Sequence, residues 1–175
     1  RVFETNLVET QDAIDSFKQI SSLFSADQIA WRYDPILLTD ITDKAFHMKR
    51  FEYIASQLSG YTKRCYISFA NYYGKVERNF RLFTASQGIS FHNIEQREKI
   101  NLAAQLAEIA ERHGMQTFSC CGDFLIGDNI KKAHCIDRDL ISSLFHPPDW
   151  QSRLKPTRKQ CGCMESTDIG KYDSC

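Results

Sequence analysis

The sequence predicts an α/β fold of β/α units with parallel strands, followed by an irregular cysteine-rich tail. Three observations carry this. Segments with helical apolar spacing alternate with short runs rich in aromatic and β-branched residues. That alternation implies parallel strands joined by crossover helices. After His146-Pro147-Pro148, periodicity stops and cysteines recur.

The elements follow in order. Thr10 to Phe24 is the first helix, with Thr10 as cap and Ile14, Phe17, Ile20 and Phe24 near helical spacing. Gln28 to Tyr33 reads as a strand closed by Asp34-Pro35. A second helix runs from Lys44 to Ser59, its stripe being Met48, Phe51, Ile54, Ala55 and Leu58, with Gly60 just past its end. Cys65 to Phe69 is the second strand. Val76 to Phe83 is a short helix in a less regular stretch. Ile94 to His113 is the clearest helix, with Leu102, Leu106 and Ile109 on one face and Gly114 as its stop. Met115 to Cys120 is the third strand, and Asp137 caps a short helix ending near Phe145. Residues 1–148 are thus expected to form the β/α domain and residues 149–175 the tail.

Three strands are too few for a closed eight-stranded barrel, which takes about 250 residues. The chain has 175, begins at Arg1 and ends on Cys175. The expectation is that both ends are cut and that this is the C-terminal part of a TIM-type (β/α) barrel; a small open α/β sheet is the alternative.

Composition is that of a globular domain, 42% hydrophobic and 25% charged with zero formal net charge. A strongly basic nucleic-acid surface is therefore not indicated, although a local patch such as Arg153, Lys155, Arg158 and Lys159 stays open. No apolar run approaches the roughly 20 residues of a membrane span. The seven cysteines are odd in number and unevenly spaced. They suit metal or cluster binding in a reducing, cytoplasmic compartment better than a disulfide scaffold.

In parallel α/β folds, functional groups gather at the carboxyl ends of strands. The first such end carries Arg32 and Asp34, two apart and so on one face. The pair could grip a carboxylate, phosphate or ribose hydroxyl, or serve as a structural ion pair. At the second end, Ser68 and Asn71 could donate to a ligand, or simply make the turn. The third end is Ser119-Cys120-Cys121-Gly122-Asp123. Adjacent cysteines do not readily ligate one ion, so Cys121, beyond the strand and before a glycine, is the expected ligand and Cys120 a small apolar filler.

Cys121, Cys135, Cys161 and Cys163 then make a four-sulfur set. Four thiolates suit zinc or an iron–sulfur cluster, and spacing does not choose between them. The plainer alternative is that Cys135 is a core residue and Cys161-Gly162-Cys163 an exposed loop. Cys65 is expected to be buried and His47 to lie at the surface or core edge. His134, beside Cys135, is the histidine of interest.

Several stretches carry a resemblance: Trp31-Arg32-Tyr33-Asp34-Pro35-Ile36-Leu37-Leu38, Arg64-Cys65-Tyr66-Ile67-Ser68-Phe69, Cys135-Ile136-Asp137, and Cys161-Gly162-Cys163 through Asp168-Ile169-Gly170-Lys171-Tyr172-Asp173-Ser174-Cys175. They resemble an uncharacterised, mainly bacterial family catalogued as domain of unknown function 1848. The resemblance implies upstream barrel strands and a continuation past Cys175 into two further cysteines. The resulting Cys-x3-Cys-x2-Cys group is similar to that of radical S-adenosylmethionine enzymes, in which three thiolates hold a [4Fe–4S] cluster. On this resemblance Cys175 is a cluster ligand of the full-length protein and S-adenosylmethionine a cofactor; Arg32, Asp34 and Ser68 are the expected cofactor-binding residues from their strand-end positions, since the family assigns no residue a role. The substrate is not implied. The other two cysteines of that group are not in this sequence.

Overall fold

A computed structural model describes residues 3, 7–145, 153–156 and 160–167. Four strands form one sheet in the order β1 (Ala30–Ile36), β2 (Arg64–Phe69), β3 (Gln116–Ser119) and β4 (Ile130–Lys132), every neighbouring pair parallel. The helices are α1 (Thr10–Phe24), α2 (Lys44–Leu58), α3 (Gly74–Gln87), α4 (Gln96–Arg112) and α5 (Arg138–Phe145). The mixed α/β architecture with parallel strands is as expected. The sheet, however, is open: β1 and β4 are its edges and do not meet.

Register explains the two faces. Trp31, Cys65, Thr117 and Ile130 stand in one row across the sheet, and Arg32, Tyr66, Phe118 and Lys131 in the next. Successive residues of a strand point to opposite faces. The first row faces the core, where Phe51, Ala55 and Leu58 of α2 meet Leu102, Ala103, Leu106 and Ala107 of α4. The alanines let α4 come close to α2 and the sheet. The second row is aromatic and cationic. Phe118 stacks on Tyr66 with centroids 5.3 Å apart, and Arg32 and Arg64 lie over these two rings.

Some expectations are corrected. β1 runs through Asp34-Pro35 to Ile36, across a cis peptide and a shift in pairing. An edge strand tolerates a proline because one row of its backbone groups needs no partner. A fourth strand, Ile130–Lys132, joins β3 through a short connection holding the 3-10 turn Asp123–Leu125. Thr10 opens α1 from within and does not cap it; its Oγ1 accepts from Arg50. Of the two places expected for His47, surface and core edge, the structure takes the second, burying it beside Tyr33. Its Nδ1 lies 2.9 Å from the Tyr33 hydroxyl and its Nε2 3.1 Å from the Leu37 carbonyl. Asp137 does cap α5, its carboxylate accepting from the Leu140 N–H at 3.0 Å.

No helix among the described residues is long and apolar enough to cross a membrane.

Candidate functional site

The carboxyl ends of β1, β2 and β3 meet at a cleft of about 90 Å³, lined among others by Arg32, Asp34, Ser68, Lys99, Cys120 and Cys121. Asp34 accepts two bonds from the Arg32 guanidinium, at 2.6 and 3.3 Å, and Ser68 Oγ lies 3.5 Å from the same carboxylate. The sheet pleat, with Arg32 and Asp34 two apart, creates this pairing. Partial burial opposes the guanidinium charge, but the bonds to Asp34 and the nearby Cys135 sulfur outweigh it and raise its pKa. Arg32 is therefore a fixed cation at the cleft mouth.

Beside the cleft runs a chain of sulfur contacts. Cys120 Sγ lies 3.3 Å from Cys135 Sγ and 3.9 Å from Cys121 Sγ. Arg32 points an N–H at Cys135 Sγ, 3.8 Å away. Cys163 Sγ accepts the Cys135 backbone N–H at 3.1 Å. The Cys135 hydrogen bond lowers the Cys120 pKa, and the same contact, with burial, raises that of Cys135. Burial raises the Cys163 thiol, which also bonds Cys161. Cys65 is apart, fully buried in the core, and desolvation pushes its thiol pKa up.

The tail is tied in by its own backbone. Met164 N–H bonds the Ile136 carbonyl at 3.2 Å, and Lys155 and Cys163, and Glu165 and Arg153, pair across an isolated bridge between Leu154 and Met164. His134 Nδ1 lies 2.6 Å from the Gly162 carbonyl. A Cβ at position 162 would fall 2.3 Å from the His134 ring. The Cys-Gly-Cys turn thus sits flat on His134 because its middle residue has no side chain. Cys175 lies outside the described residues, as do Arg158 and Lys159 of the basic cluster.

The cysteines expected to act together are thus linked in a run of contacts that passes through Cys120. Cys120, expected to be mere filler, stands at the centre of the sulfur contacts and also lines the cleft. It packs with Tyr66, Phe118 and Ala133 just past the end of β3, a position that strand alternation does not fix. Among the described residues, no three His, Cys, Asp or Glu side chains are arranged to hold one metal ion.

Fold and site together define an α/β domain with a polar cleft and a thiol group at its strand ends. The family model described as Domain of unknown function (DUF1848) matches residues 1–175, and the chain belongs to that family. No curated protein and no solved structure matches it.

Proposed function

We propose that this domain is an iron–sulfur protein resembling the radical S-adenosylmethionine type, acting on a substrate yet to be identified in a cytoplasmic setting. The observation that supports this best is the gathering of Cys120, Cys121, Cys135 and Cys163 from three chain segments beside the strand-end cleft. Soft thiolates are the donors such a cluster takes. Cys121, Cys135, Cys161 and Cys163 would hold it, and Cys175 would serve the terminal group that the resemblance implies. A reducible cluster supplies electrons. Arg32, held by Asp34, would orient an anionic group at the cleft mouth, and Ser68 would donate to it. The cleft is small against the ~300 Å³ of an ordinary ligand site, so it suits one ionic group of a larger molecule. Parallel strands with core helices on one face also suit a segment of a β/α barrel.

The second reading is a non-catalytic zinc protein whose cysteines pin the tail. What supports it is the seating of the tail: Cys163 Sγ accepts the Cys135 backbone N–H and His134 Nδ1 lies against the Gly162 carbonyl.

Anaerobic reconstitution of the full-length protein with iron and sulfide decides between them. A coloured protein with a reducible cluster that cleaves S-adenosylmethionine is the expected result. A colourless protein retaining one equivalent of zinc would sink the first reading, and a cluster without cleavage would leave a redox or sensing protein. Replacing both Cys161 and Cys163 with Ser should lower metal content in either case; unchanged content would remove these two from the ligand set.

A further inference from the structure

We propose that Cys120 and Cys135 form a reversible dithiol–disulfide couple. Their sulfurs lie 3.3 Å apart. The two residues follow neighbouring parallel strands, β3 and β4, whose last paired residues are Ser119 and Lys132, and the Ala133 N–H still bonds the Ser119 carbonyl at 2.9 Å. The sheet thus reaches to Ala133, and the Cys135 N–H is held by Cys163 Sγ. A bond needs the sulfurs to close from 3.3 Å to about 2.0 Å.

Among the described cysteines, Cys121, Cys65 and Cys163 are worse partners. Cys121 is bonded to Cys120 in sequence, and Cα atoms across a trans peptide are about 3.8 Å apart. That is below the usual disulfide range of about 4.4–6.8 Å. Cys65 stands in the core row, on the opposite face of the sheet. Cys163 Sγ is engaged by the Cys135 backbone N–H.

Exposure sets the order of events. Cys135 is exposed, whereas Cys120 is only 5% exposed. With a small disulfide such as oxidised glutathione as oxidant, the Cys135 sulfur attacks one reagent sulfur. The reagent S–S bond breaks, a mixed disulfide forms, and the first glutathione leaves as a thiol carrying the Cys135 proton. The Cys120 sulfur then attacks the Cys135 sulfur, forms the internal disulfide and displaces the second glutathione, which takes the Cys120 proton. Two protein thiols are oxidised and one glutathione disulfide is reduced to two thiols.

The couple itself does not depend on a metal. Its consequence rests on the metal reading above: thiols closed in a disulfide do not ligate, so oxidation and metal loading would exclude each other.

The test uses the full chain, stripped of metal by a chelator and reduced, then equilibrated in mixtures of reduced and oxidised glutathione. Acid quenching, unfolding, alkylation and peptide mapping by mass spectrometry follow. The expected result is joint loss of alkylation at Cys120 and Cys135, with a crosslinked peptide, while Cys65 stays alkylated. Cys121→Ser should keep the crosslink, and Cys120→Ser should leave Cys135 as a glutathione adduct. Full alkylation of Cys120 and Cys135 in the most oxidising mixture would overturn the proposal. So would a Cys135 crosslink to Cys161 or Cys163 in place of Cys120. Metal content is measured in parallel on reduced, unstripped protein. Metal without a crosslink overturns the couple alone; a crosslink without metal overturns the metal reading alone.

Discussion

Gly162 shows how one residue type can hold a site together. The His134 ring occupies the space a Cβ would need, with ring atoms 2.3 and 2.4 Å from it. Gly162→Ala should push the ring away, break the bond to the Gly162 carbonyl and loosen the Cys161–Cys163 turn. Overpacking of this kind costs about 1–3 kcal/mol. Hydrogen exchange checks it: the Cys135 and Met164 amides, which bond Cys163 Sγ and the Ile136 carbonyl, should lose protection. Unchanged protection would mean that the turn does not depend on its glycine. Cysteine spacing alone suggested a set at this scale, and the placing of Arg32 and Asp34 on one face followed from strand alternation. Which of the vicinal cysteines meets Cys135 did not, because that depends on where β3 ends. Nor did the glycine's role, which needs the histidine seated against it.

At the scale of elements, α4 carries the clearest link from pattern to packing. Leu102 and Leu106 fall on its apolar face, and the structure buries both against α2 and the sheet. Leu106→Ala should therefore destabilise by about 2–5 kcal/mol, the range for an emptied leucine site in a tight core. Leu82 on α3 is the contrast, being 65% exposed on a helix with no buried residue. Its replacement by Ala should change stability by no more than about 0.5 kcal/mol. Urea unfolding of both variants measures the difference, and equal midpoints would contradict this division of labour. The same contrast runs within α1, where Ile14 is buried but Ile20 and Phe24 are exposed. Periodicity marks a face that can be buried; it does not say how much sheet lies beneath it.

For the molecule as a whole, acid sensitivity follows from its buried histidine. Burial lowers the His47 pKa below its ordinary value, although the Leu37 carbonyl and Asp43 pull it back up. Above about pH 6.5 the ring is neutral in both folded and unfolded chains, and its share of stability is intact. As pH falls through the lowered folded-state pKa, that share is lost, because the unfolded chain takes up the proton more readily. Urea midpoints should therefore drop between about pH 7.5 and pH 5.5, and His47→Gln should flatten that part of the curve. The carboxylates of Asp40, Glu52 and Glu98, whose pKa values are lowered chiefly by the Ser90 backbone N–H, His113 and Lys44, add their loss further into acid. A variant as pH-sensitive as the parent would show that His47 is not the group responsible.

The sequence by itself determined the class of fold, the parallel sense of the strands, most helix positions and the placing of Arg32 and Asp34 on one face. All of these rest on periodicity and capping, which act between residues close in the chain. Tertiary structure alone decided that β1 continues through a proline, that a fourth strand exists, that His47 is buried and that Cys120 meets Cys135. Those outcomes depend on which strand lies at an edge and which strand ends meet, and residues far apart in sequence acquire such relations only once the sheet has formed.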